Sequence, residues 1–143
     1  MEEEYAELNK QEIAFLYKQK CDECNIQPHD AFMLYLEETM EDNEVLEIVI
    51  QGNDKHNFNK RVTDQDLIAL CSTLYQFAIY IEDIDLRFNE ITDEGAQAMS
   101  DLISRSPRLL GLNLQGNHIK SEGAQYLAEA LKECGNLQYL NLN

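Results

Sequence analysis

The sequence predicts an α/β repeat solenoid, with short parallel strands along one side and helices along the other, made by stacking one strand–turn–helix unit on the next. Three observations predict it. Leu109, Leu112, Leu114 and Asn117 form a pattern that recurs at Ile81, Ile84, Leu86 and Asn89, and again at Val45, Ile48, Ile50 and Asn53. Leu137, Leu140 and Leu142 begin a fourth copy. Successive copies start 36, 28 and 28 residues apart, so the unit is 28 residues with an insertion of 8 in the first.

The second observation is a repeated turn. Ile91-Thr92-Asp93-Glu94-Gly95-Ala96 matches Ile119-Lys120-Ser121-Glu122-Gly123-Ala124, and Val62-Thr63-Asp64-Gln65-Asp66-Leu67 is a weaker first version. The third is a run of apolar or small residues at helical spacing immediately after each turn. These are Leu67, Leu70, Cys71 and Leu74, then Ala96, Met99, Ser100 and Ile103, then Ala124, Leu127, Ala128 and Leu131.

Each element has a physical reason. Alternate residues of a strand point to opposite faces, so the aliphatic positions face inward and their neighbours outward. The repeated asparagine can turn its amide onto backbone groups of the loop that leaves the strand. Asp64, Asp93 and Ser121 stand just before the helices, where N-caps are expected. One unit cannot bury its apolar face alone, and stacking does so. A helix is wider than a strand, so helices outside and strands inside imply a horseshoe with a concave sheet.

Ahead of the repeats, residues 1–44 are expected to form an acidic helical cap, with the repeats over 45–143. Acids outnumber lysines thirteen to three in that segment. One helix is expected over 5–24, with Ile13, Leu16, Tyr17 and Cys24 on its apolar side. A second is expected from Ala31 to Met40, carrying Phe32, Leu34, Tyr35, Leu36 and Met40. Terminal repeats expose core and need such a cover. At the other end the helix that should cover the fourth strand is absent, which predicts that the array continues past Asn143.

These columns resemble the ribonuclease-inhibitor type of leucine-rich repeat over residues 45–143. Asp66 in the glycine column and the insertion are departures, both in the first repeat. The acidic helical start, that insertion and the string Asp85-Leu86-Arg87-Phe88-Asn89 narrow the resemblance within the family to a germ-cell member. It implies an intracellular setting, cytoplasmic, with nucleus or nucleolus and cilium or axoneme both open.

The chain of 143 residues is 44% hydrophobic, enough for a core, and its net charge is −16. Such a field repels phosphate, so duplex nucleic acid and anionic membrane are not expected partners, while proteins with basic surfaces are. No signal peptide is visible and no apolar run approaches the ~20 residues that span a bilayer. Cys21, Cys24, Cys71 and Cys134 are dispersed and read as reduced thiols.

Chemistry-bearing motifs are sparse. Cys21-x-x-Cys24 lacks the second ligand pair that zinc needs, and Cys24 suits a helix's apolar face. His29, His56 and His118 are scattered. Nothing suggests a catalytic group, a metal site or a cofactor.

Binding positions are set by the strands. The outward columns are Glu47, Asp83, Gly111 and Tyr139; then Val49, Asp85, Asn113 and Asn141; then Gln51, Arg87, Gln115 and Asn143. Packing does not fix these residues, and repeat proteins use this surface for partners. Glu47, Asp83 and Asp85 would cluster as an acidic patch, with Tyr139 as an aromatic anchor; the alternative is a merely solvated face. The insertion Asp54–Arg61 adds Phe58, Lys60 and Arg61, as a second contact or a disordered loop. The expected function is a non-catalytic scaffold in a larger assembly. The alternative is a regulator of an enzyme: family resemblance allows an inhibitor, or a GTPase activator using Arg61 or Arg87.

Overall fold

The computed structural model describes residues 6–39 and 45–143. Strands β1 (Leu46–Val49), β2 (Ile81–Asp85), β3 (Gly111–Asn113) and β4 (Tyr139–Asn141) form one sheet in sequence order, every neighbouring pair parallel. Helices α3 (Asp64–Leu74), α4 (Asp93–Ile103) and α5 (Ser121–Leu131) lie in the crossovers. Ahead of them stand α1 (Lys10–Glu23) and α2 (Asp30–Leu34). A π-helical turn continues α2 over Tyr35–Thr39, and a 3₁₀ segment links α3 to β2. α1, α3, α4 and α5 pack in that order as one row.

The inward columns are filled as the alternation predicts. Ile48, Ile84 and Leu112 pair in register, and so by extension do Ile50, Leu86 and Leu114; all are buried. They share one core with Leu67, Leu70, Met99, Ile103 and Leu127 from the helices. Each such side chain stabilises by about 1.5–3 kcal/mol relative to exposure. On α5, Ala128 is exposed, whereas Cys71 and Ser100 in the same column are covered. Cys71 and Ser100 each have a following helix beside them.

Two asparagines stitch neighbouring repeats. Asn89 donates to Ile50 O (2.7 Å) and Leu86 O (2.9 Å) and accepts from Val62 N (2.8 Å). Asn117 does the same with Leu86 O, Leu114 O and Ile91 N. Asn53 corrects the expectation: it is exposed, because the chain there turns out into the insertion.

The helix caps also differ from expectation. Thr63, Thr92 and Lys120 are the N-cap residues, and Asp64, Asp93 and Ser121 are the first residues inside the helices. Asp64 and Asp93 reach across to the next repeat instead. Asp64 Oδ1 accepts from Thr92 N (2.8 Å) and Gly95 N (3.1 Å), the two donors that a local capping box would satisfy on α4. Asp93 Oδ1 accepts from Lys120 N at 2.7 Å. Thr92 and Lys120 make no side-chain cap of their own. The first repeat has no repeat before it to supply such a carboxylate, and there Thr63 and Asp66 form a complete local capping box. Asp66 in the glycine column is therefore a substitute device.

The amino-terminal segment is shorter and less regular than predicted. α1 starts at Lys10, where Asn9 caps it by accepting from Glu12 N. Its buried face is Ile13, Tyr17 and Cys21. Cys24, placed on that face by the sequence, is the half-buried C-cap residue. Leu34, carried on the second predicted helix, is 51% exposed, because it stands two residues from both buried Phe32 and buried Leu36 and so on the other side of the helix. Tyr17 and Phe32 meet edge to face at 4.8 Å. Met1–Tyr5 and Met40–Glu44, which carry the predicted helix ends and six of the acids, lie outside the described residues. Hydrogen bonds from Tyr80 Oη to Ala6 O and from Glu47 N to Tyr35 Oη tie this segment to the 3₁₀ segment before β2 and to β1.

Candidate functional site

The helices and the inward aliphatic columns occupy one face of the sheet, and the other carries the three outward columns. Glu47, Asp83, Gly111 and Tyr139 stand in register across all four strands. Glu47 and Tyr139 are exposed, and Asp83 is half-buried. Asp83 leans over Gly111, where a β-carbon would come within 2.7 Å of its Oδ1. Desolvation raises the Asp83 carboxyl above its ordinary range, and the nearby charges of Asp85 and Glu47 push it the same way.

The second column behaves differently from the sequence reading. Val49 is 49% exposed, but Asp85 and Asn113 are buried, and Asn141 is half-buried. Asp85 Oδ1 accepts from Arg87 N (3.3 Å), Asn113 Oδ1 from Gln115 N (3.1 Å) and Asn141 Oδ1 from Asn143 N (3.1 Å). Each side chain thus closes a turn on the amide two residues ahead, the known habit of Asp and Asn. These positions, read as unconstrained by packing, are constrained by the backbone.

Asp85 is also the centre of a small network. Arg87 donates through Nε (3.1 Å to each oxygen) and Nη2 (2.8 Å), and Gln51 Nε2 donates at 2.9 Å. Desolvation opposes ionisation of Asp85, yet the bonds from Arg87 and Gln51 prevail and hold its carboxyl below the ordinary value. The same contact raises Arg87. The predicted acidic trio therefore divides: Asp85 is neutralised by Arg87, and Glu47 with Asp83 carries the open charge. Gln115 accepts from Asn141 Nδ2 at 3.3 Å, so the third column is braced too.

The insertion is folded in turns against the start of α2. His29 accepts from Ala31 N through Nδ1 and bonds Lys60 O through Nε2 at 2.5 Å, which makes Nε2 the protonated nitrogen. Lys60 pairs with Asp30. Arg61 stacks over Phe58 at 5.0 Å and donates to Gly52 O. Phe58, 60% exposed, and Lys60 remain on the surface. The start of the loop borders the β1 end of the open sheet face, near Glu47 and Val49, and its anchors, His29 and Asp30, were not singled out by the sequence. Pro28 just before them was the available signal, as a helix-start residue.

Residues 79–100 and 108–128 each match the family model described as Leucine Rich repeat. The two segments run from a strand through the turn into the following helix. These two segments are leucine-rich repeats. No curated protein matches the chain as a relative. Leucine-rich-repeat domains generally mediate protein–protein contacts and are typically non-catalytic modules.

Two further features bear on chemistry. Among the described residues, no three or more His, Cys, Asp or Glu side chains are grouped to hold a metal ion, and no helix is long and apolar enough to cross a membrane. Cys21 and Cys71 are buried in the core, and desolvation raises both thiols.

Proposed function

We propose that this leucine-rich-repeat chain is a non-catalytic scaffold whose open sheet face takes a protein partner presenting basic groups. One observation carries the reading: on the face opposite the helices, Glu47 and Asp83 stand side by side with Tyr139 exposed in the same column. Asp83 is raised by desolvation and then by the charges of Asp85 and Glu47, and a partner lysine or arginine would offset that repulsion. Affinity capture with Glu47→Arg/Asp83→Arg tests it. Asp85 is left intact because it holds Arg87 and the β2 turn. Loss of a partner that wild type captures, with an unchanged melting curve, supports the face. Full retention moves recognition elsewhere.

In finer detail, we propose a ribonuclease-inhibitor-type horseshoe, with residues 1–44 as cap and 45–143 as repeats of a longer array. On our reading of the acidic start, the insertion and Asp85–Asn89, the sequence resembles leucine-rich repeat-containing protein 34. The setting we favour is intracellular, as a subunit of a larger assembly in the cytoplasm, the cilium or axoneme, or the nucleus. Neither nucleic acid nor membrane is a partner in this reading, given a net charge of −16. An enzyme regulator acting by an arginine finger is disfavoured: Arg87 is committed to Asp85, and Arg61 to Phe58 and Gly52.

A further inference from the structure

A groove of about 420 Å³ runs where α2 and its π-helical turn meet the edge of β1 and the start of the insertion. Its size is within the range of ligand-binding clefts, about 300–1,000 Å³. Leu34 and Val49, each about half exposed, line it. Leu34 is the last residue of α2, and Val49 is the one outward second-column position without an Asx turn. Carboxylates rim it: Asp30, Glu47 and Asp54. Asp30 is paired with Lys60, but Glu47 and Asp54 form no ion pair among the described residues. Tyr35, also in the lining, accepts from Glu47 N at 3.1 Å and so occupies that donor on the β1 edge. A partner therefore binds here through side chains rather than by adding a strand.

We propose that this groove docks a basic segment of a partner protein, seating one bulky aliphatic side chain between Leu34 and Val49 while a flanking lysine or arginine pairs with Glu47 and Asp54. The argument is complementarity: two adjoining half-exposed aliphatic side chains, bordered by carboxylates, Glu47 and Asp54, that no cation pairs among the described residues. Glu47 belongs to both the groove and the open sheet face, so the proposal extends, and rests on, the reading of that face as partner-binding.

The test uses the whole chain, labelled at leucine and valine methyls, titrated at physiological salt with two short lysine/arginine peptides. They differ only in a central leucine or glycine. The leucine peptide is expected to shift the Leu34 and Val49 methyls and to bind about tenfold or more tightly than its twin. Leu34→Glu and Val49→Glu, and the milder Leu34→Ala, should erase that difference without changing the melting temperature. Equal binding of the two peptides, or an unchanged preference in these variants, overturns the groove. Shifts confined to residues near Tyr139 and Gln115 would overturn the groove alone and leave the open-face reading standing. The absence of any shift would overturn the groove, and the Glu47→Arg/Asp83→Arg capture would then decide the face separately.

Discussion

Asp64 Oδ1 sits 3.1 Å from the Gly95 amide, and a β-carbon on Gly95 would approach that oxygen to 2.4 Å. The glycine of the repeat is thus the seat for the carboxylate of the preceding repeat. Gly123 stands likewise against Asp93, at 2.5 Å. A cap supplied from one unit to the next couples helix formation to stacking, so the starts of α4 and α5 are complete only when the preceding repeat is in place.

From this pairing, Gly95→Ala is expected to cost about 2 kcal/mol, because the intruding methyl must displace the carboxylate or strain the helix start. Asp64→Ala should cost about 1 kcal/mol, the usual loss of a cap. The double variant should cost less than the two together, since removing the carboxylate makes room for the methyl. Urea unfolding of the four proteins measures the coupling. Additive losses would mean that the two residues do not share one site.

The asparagine positions give a sharper contrast. Asn89 is buried and serves Ile50 O, Leu86 O and Val62 N at once. Asn89→Ala leaves those backbone groups unpaired inside the protein, and a loss of about 3 kcal/mol is expected. Asn53 occupies the same place in the repeat but is exposed. Asn53→Ala should change stability by less than about 0.5 kcal/mol. Thermal melts of both variants decide whether position in the repeat or burial sets the cost.

The repeat architecture was legible because period, inward leucines and turn glycine all report local packing that recurs at fixed spacing. What was not legible is where a local signal is answered by another repeat. Asp64 and Asp93 look like caps of their own helices, and only the stacked geometry shows that they cap the next. Asp85 and Asn113 look like outward residues open to a partner, yet their side chains fold back onto Arg87 N and Gln115 N. Asn53 carries the right letter but lacks the backbone partners to use it. Leu34 and Val49 were never seen as neighbours of one groove, because how α2 docks against β1 is a tertiary relationship that helical spacing does not encode.

Gly116 has φ +72°, and a β-carbon there would come within 2.4 Å of the Phe88 ring. Phe88 itself holds φ +60° at the matching place one repeat earlier, a strained conformation for a bulky residue. Gly116→Ala should lose about 2 kcal/mol, part from the backbone and part from the overlap. Adding Phe88→Gly removes both the ring and the strain at 88, so the double variant should be more stable than Gly116→Ala alone. Guanidinium unfolding provides the comparison, and equal or lower stability of the double variant would refute the overlap.

Asp83 and Asp85 are two residues apart yet respond to pH in opposite senses. The Asp83 carboxyl is raised on folding, chiefly by desolvation and then by Asp85 and Glu47. The folded protein therefore holds that proton more tightly, and stability falls as pH rises from the unfolded carboxyl value through the raised one. Asp83→Asn removes this penalty. It should stabilise by about 0.5 kcal/mol at neutral pH, as expected for relieving adjacent like charges, with the gain vanishing below about pH 4. For Asp85, desolvation is outweighed by Arg87 and Gln51, so its value is lowered. Its contribution is present above the unfolded value and is lost as pH falls through the folded one. Asp85→Asn should therefore destabilise by about 1 kcal/mol at neutral pH, and the difference from wild type should shrink on acidification. Stability measured from pH 3 to 8 for the three proteins would show two difference curves of opposite sign converging at low pH. Curves of the same sign would mean that Arg87 does not discriminate between the two carboxylates, and the open charge of the face would then have to be assigned to Asp85 as well.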